Sequence, residues 1–245
     1  MHKNYLFFFF YFVFLYSTFS QAYSKEKIYA WHDQNLEVQN TRLFQGIEYV
    51  ETDRVINDLH KFFETNEFQK GSITYGGQTY YDIPLKYNIY NDVLLVNLQQ
   101  NLKNYIFQLI DNKVEQFKIN ETRFRYLKSS ENSDIEGFYE VINEEGAFKV
   151  FKKHLKSRME KRDKQIAYSE FKSVGSNYIF QFKNKYFELN NSKDLLTELQ
   201  LHKNKIKSFY RKYRRQRRNS PDVFMKNLAN EINTLISSTT NQIKE

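Results

Sequence analysis

Between Lys203 and Arg218 the chain reads KNKIKSFYRKYRRQRR, in which nine of sixteen residues are Lys or Arg and none is acidic. Lys203, Lys205, Lys207, Arg211, Lys212, Arg214, Arg215, Arg217 and Arg218 are therefore the candidate contact for an anionic surface or polymer. Cations at this density attract phosphate or sulfate groups by direct charge and by release of condensed counter-ions. Phe209, Tyr210 and Tyr213 lie among them and could serve as stacking surfaces. A basic amphipathic helix is also drawn to anionic lipid. The simplest reading turns Ile206, Phe209, Tyr210 and Tyr213 into a core and leaves the charges to water or to an acidic part of the same chain.

No other pattern carries chemistry. The five histidines, His2, His32, His60, His154 and His202, are scattered, and none pairs with another at a spacing that puts two imidazoles on one face. His60 stands beside Phe62 and Phe63 and reads as packing. The chain has no Cys, which excludes disulfides, thiolate metal sites and thiol catalysis. Neither a G-x-S-x-G elbow, a P-loop nor a G-x-G-x-x-G turn occurs. Gly71-Ser72 and Gly175-Ser176 read as turns, as do Asp82 and Asp92 at strand ends. A glycosidase needs two carboxylates across a cleft, and nothing here singles out a pair. Tyr75, Tyr80, Tyr81, Tyr87 and Tyr90 suit cross-strand packing better than a sugar- or peptide-binding row. No catalytic residue, metal or cofactor is expected, and the balance leans away from an enzyme.

These residues must be positioned by elements outside the first 22 positions. A basic start is followed by Leu6–Tyr16 (LFFFFYFVFLY) and then STFSQA, the three parts of a signal peptide with cleavage after Ala22. The apolar run is shorter than the roughly 20 residues a membrane span needs. Export to the periplasm or medium is the expectation, with a soluble mature chain that carries no transmembrane span. From Tyr23 to Phe148 there are 13 Lys or Arg against 20 Asp or Glu. From Lys149 to Glu245 there are 23 against 9, so the overall charge of +8 hides an acidic front and a basic back. Such a split marks either a polyanion-binding end or two halves that attract each other. With 23 Phe and 19 Tyr but few Gly and Pro, the composition points to a β-rich core.

The mature chain, 23–245, is expected to be a single domain. Residues 23–42 read as a polar lead-in. Apolar positions 55, 56, 59, 62 and 63 predict a short helix over Asp53–Phe63. Period-two alternation then predicts a hairpin about Gly76-Gly77, and a strand through Ile83–Ile89 with an exposed edge at Pro84. Further strands follow at Val93–Leu98, Tyr105–Ile110, Val114–Ile119, Arg123–Leu127, Gly137–Ile142 and Ala147–Leu155. Lys156–Lys164 reads as a charged, exposed connection. A last hairpin turns at Lys183-Asn184, and the region 52–191 is thus mainly β. From 192 to 236 the period is helical: a helix capped by Ser192, a second through Ile206–Tyr213, and a third starting at Ser220-Pro221-Asp222. The tail 237–245 is expected to fray.

The stretch Phe44–Val96 contains FQGIEY, HKFF and GSITYGGQTYYDIPLKYNIYNDVLLV. Later come VEQFKINETRF at 114–124, GFYEV at 137–141 and NKYFEL at 184–189. Together these resemble a family of uncharacterised exported proteins of Bacteroidetes-type bacteria. The resemblance covers most of the mature chain and implies an extracytoplasmic bacterial setting, but no activity.

The expectation is an α+β domain, an antiparallel β-rich sheet (roll or sandwich-like) with helices at the C-terminal end. Its expected role is a non-enzymatic binding or structural module of the cell envelope. Its partner would be a protein, an envelope surface or an anionic polymer, and not a specific nucleic acid. The alternatives are a hydrolase of envelope or extracellular polymers and a carrier of a small apolar ligand.

Overall fold

The computed structural model describes residues 41–100, 102–128, 135–164, 166–188 and 192–242. The expected signal peptide over 1–22, the expected lead-in over 23–42 except for Thr41 and Arg42, Leu189 and the three final residues lie outside them. Eleven strands form one sheet: β1 (Ile47–Glu48), β2 (Gln69–Tyr75), β3 (Gln78–Asn88), β4 (Val93–Gln100), β5 (Lys103–Gln108), β6 (Val114–Ile119), β7 (Thr122–Leu127), β8 (Gly137–Asn143), β9 (Phe148–Asp163), β10 (Ile166–Phe182) and β11 (Lys185–Glu188). Four helices follow: α1 (Ser192–Glu198), α2 (Lys203–Lys212), α3 (Arg214–Asn219) and α4 (Pro221–Gln242). The strand order is β1-β5-β4-β3-β2-β6-β7-β8-β9-β10-β11, and every neighbouring pair is antiparallel. The α+β class and the C-terminal helices are as the sequence indicates.

Turn chemistry sets the registers. Gly76 (φ 58°) and Gly77 (φ 83°) give the left-handed pair that a two-residue hairpin demands, and Tyr75 faces Gln78 across it. Lys183 (φ 50°) and Asn184 (φ 59°) do the same between β10 and β11. The β3–β4 ladder covers Leu85–Asn88, so Pro84 stands just beyond its end, where a missing N–H costs no bond on that side.

The sheet curls. In a flat sheet β3 and β8, four strands apart in the order, would lie about 19 Å from each other. Yet the rings of Tyr87 on β3 and Phe138 on β8 are 5.8 Å apart. Phe117 and Phe124 stack at 4.8 Å between them, and all four rings are buried. The concave face is thus filled by its own aromatics.

What closes the curl is the segment predicted to be a helix. Residues 53–63 form no helix: they run as an irregular segment with an isolated bridge from Phe62 to Asn88. Their backbone is engaged by β3 on one side (Ile89 N–H to Lys61 O, Phe63 N–H to Tyr87 O) and by β10 on the other (Ser169 N–H to Arg54 O, Phe171 N–H to Leu59 O). Lys156 of β9 adds its ammonium to the carbonyls of His60 and Phe62, at 2.6 and 2.7 Å. The apolar spacing suits a helix, but two distant strands satisfy these backbone groups better than a short helix would.

Other expectations also change. Lys156–Lys164 is not a connection: it continues β9, paired with β10 from Ser173↔Lys156 to Ile166↔Asp163. Gly175-Ser176 is not a turn but an irregularity within β10, where the register shifts between Ser173 and Ser176 and Gly175 takes φ 105°. Gly71-Ser72 lies inside β2. The polar tail stays helical through Gln242, with Ser237 and Ser238 bonding back to Asn233 O and Leu235 O.

A second core lies where the helices cover one face of the sheet's C-terminal strands. Phe148, Val150 and Phe180 meet Leu195, Ile206, Phe224, Leu228 and Ile232 there.

Candidate functional site

α2 is amphipathic by its spacing, and its apolar stripe is fully used. Ile206 and Phe209 are buried, and Tyr210 and Tyr213 pack beside them. The ring of Phe224 on α4 takes both Phe209 at 5.6 Å and Tyr210 at 5.2 Å. The aromatics of the basic segment are therefore turned into the core and do not form a stacking platform. At Tyr213 (φ −101°, ψ 25°) the helix breaks, and α3 continues as RRQRRN.

All nine cations, Lys203, Lys205, Lys207, Arg211, Lys212, Arg214, Arg215, Arg217 and Arg218, are exposed on these two helices. Lys212 lies over the Tyr213 ring at 5.1 Å and Arg217 over the Tyr210 ring at 5.6 Å. Among the described residues no carboxylate pairs with any of the nine. Among the described residues the acidic front half does not neutralise them, and five of its carboxylates hold cations elsewhere. Glu51 and Asp53 hold Lys61, Asp92 holds Lys153, Glu144 holds Arg123 and Arg125, and Glu140 holds His154.

Two polar clusters escaped the sequence reading. The first is a belt on the concave face between the two cores. His154 Nε2 meets Glu140 Oε2 at 2.7 Å, and Lys152 bridges Glu140 (3.6 Å) and Asp222 at the start of α4 (2.8 Å). The Tyr178 hydroxyl donates to Asp222. Burial works to raise the Asp222 carboxyl, but Lys152 and Tyr178 outweigh it and hold it below the usual carboxylate range. These residues come from β8, β9, β10 and α4, so no local pattern announces them. The belt docks α4 on the sheet.

The second cluster sits where the β3–β4 and β5–β6 turns meet the start of β8. Asp92 accepts from Tyr87 O–H (2.6 Å), Lys153 (2.5 Å) and Phe138 N–H (3.2 Å). With φ 58° it is the turn residue that the sequence indicates, and it also ties β3 to β8 and β9. Gly137 (φ 108°) is needed beside it, because a Cβ there would collide with the Asp92 carboxylate. Lys153 is lowered by burial, an effect that the Asp92 charge opposes.

Burial and the neighbouring Asp92 charge push the Asp111 carboxyl up to about 6. Its folded value lies above the unfolded one, so the ionised form destabilises the fold above pH 6 and the penalty fades as pH falls toward 4. Asp111→Asn is therefore expected to stabilise the protein at pH 8 by about 1–3 kcal/mol. The gain should vanish near pH 4. Urea unfolding at the two pH values checks this, and an equal gain at both would contradict it.

No family model, curated protein or solved structure matches the chain. Among the described residues no helix is long and apolar enough to cross a membrane, and no group of three His, Cys, Asp or Glu side chains is placed to hold a metal ion.

Proposed function

We propose that the protein is an exported, non-enzymatic binding module of the bacterial cell envelope, one that attaches to an anionic surface or polymer through the α2–α3 face. The observation that carries this reading is the set of nine exposed cations on two consecutive helices, with no carboxylate among the described residues paired to any of them. A merely solvated helix face ordinarily mixes both signs, since like charges at i,i+4 destabilise it. Lys203 and Lys207, Lys207 and Arg211, and Arg214 and Arg218 all stand at that spacing. Export is supported by the basic, apolar and small-residue succession of the first 22 residues. The resemblance to exported proteins of Bacteroidetes-type bacteria agrees with that setting.

The alternatives draw less support. A carrier of apolar ligands needs interior space, and Tyr87, Phe117, Phe124 and Phe138 occupy it. A hydrolase could use Glu140 and His154, but this pair is built into the network that docks α4.

The test is retention of the purified protein on a sulfated resin and on a neutral resin of the same matrix. The expected result is retention on the first alone at low salt, and release well below 1 M, where the screening length is about 3 Å. Passage through both resins at low salt would refute the proposal.

A further inference from the structure

Resting on that reading, we infer that the partner is a linear polyanion, of the kind that carries phosphate or sulfate groups along its length, rather than a lipid bilayer.

Three observations lead there. The first is what the face lacks. A helix that lies in a membrane surface buries an apolar side in the acyl boundary. Here that side is already spent: Ile206 and Phe209 are buried against α4, and Tyr210 and Tyr213 pack with them. Among the described residues, the large hydrophobic residue left exposed close by in the chain is Val223. Among the described residues, the face can meet a partner by charge and hydrogen bonds, with no apolar side to insert.

The second is its extent. α2 and α3 have 10 and 6 residues, which corresponds to about 24 Å of helical rise. Cations strung along two consecutive helices suit a chain of successive anions. A single small anion would engage only two or three of them.

The third is its chemistry. Five of the eight residues from Arg211 to Arg218 are Arg. A guanidinium is a planar fork that grips two oxygens of a phosphate or sulfate at once, while Lys acts as a point charge. The repulsion among the i,i+4 cations adds a response: a polyanion laid along the face relieves it and should stabilise the folded protein.

The experiment compares four probes at equal anion concentration with the purified protein: linear polyphosphate, dextran sulfate, polygalacturonate, and vesicles of phosphatidylglycerol mixed with phosphatidylcholine. Affinity is read by light scattering or anisotropy and stability by thermal melting. Polyphosphate, dextran sulfate and polygalacturonate are all expected to bind about tenfold or more tighter than the vesicles. All three should raise the melting temperature, and monomeric phosphate at the same phosphate concentration should not. Replacing Arg211, Arg214, Arg215, Arg217 and Arg218 together by Lys keeps the charge but loses the two-oxygen grip, and should weaken binding of all three polymers.

Vesicles that bind as tightly as the polymers would overturn the inference and leave the anionic-surface reading standing. Unchanged affinity for the polymers in the all-Lys variant would overturn the role given to the guanidinium grip. Binding of none of the four would overturn both readings.

Discussion

Replacing Arg214, Arg215, Arg217 and Arg218 together by Gln is expected to weaken polyphosphate binding at 0.1 M salt by about 10²–10³-fold, with no loss of fold. Each cation that neutralises an anion on a flexible strand contributes about 0.7 of a decade at that salt, so four contribute nearly three. The fold should survive because all four side chains are exposed and make no ion pair among the described residues. Arg217 gives up only its position over the Tyr210 ring, and removing like charges from α3 offsets that loss. Anisotropy with labelled polyphosphate, alongside a thermal melt, separates the two effects. Unchanged affinity in a folded variant would place the binding elsewhere.

Lys61→Ala is expected to destabilise the fold strongly. The Lys61 side chain is 3% exposed, with its ammonium 2.7 Å from both Glu51 and Asp53. The rings of Tyr49, Phe62 and Phe171 surround it at 5.8–5.9 Å. Burial alone would lower its pKa, but Asp53, Glu51 and Tyr49 more than reverse that and raise it. A raised folded value means the ion pair's contribution is complete below the ordinary lysine pKa and is lost only in strong alkali.

Truncation leaves Asp53 with Arg158 at 3.1 Å but removes the cation that anchors the closing segment between β3 and β10. Breaking a buried pair from one side costs about 3–5 kcal/mol. That is a large share of the roughly 5–15 kcal/mol that holds a domain folded. Lys61→Met, which restores the stem, should cost less than Lys61→Ala. The urea midpoint measures both, and a loss below about 1 kcal/mol for Lys61→Ala would mean that the segment does not close the curl.

The contrast between residues 53–63 and the Gly76-Gly77 hairpin shows where local pattern is enough. The hairpin is decided by two glycines that alone tolerate the backbone the turn needs, and the strands on either side alternate in plain view. The closing segment is decided by partners far along the chain, at Tyr87, Ile89, Ser169 and Phe171, which no window of ten residues contains. The β9–β10 ribbon was hidden for another reason. From Arg158 to Asp163 its side chains are exposed on both faces, so alternation has nothing to mark. Its turn near Lys164 lacks Gly, Asn or Pro.

The basic face was legible because charge density and apolar spacing are both local. That the acidic half leaves it unpaired was not, since this depends on where Glu51, Asp53, Asp92, Glu140 and Glu144 find their cations. The belt of Glu140, His154, Lys152 and Asp222 and the Asp92–Lys153 tie were illegible for the same reason.

The most direct measurement is the slope of log affinity for polyphosphate against log salt concentration, taken for the unaltered protein and for the variant with Gln at 214, 215, 217 and 218. With six to nine cations engaged, the unaltered protein should give a slope of about −4 to −6, and the variant a slope shallower by nearly three. A slope near zero, or one that the four substitutions leave in place, would contradict the claim that this helical face holds an anionic partner.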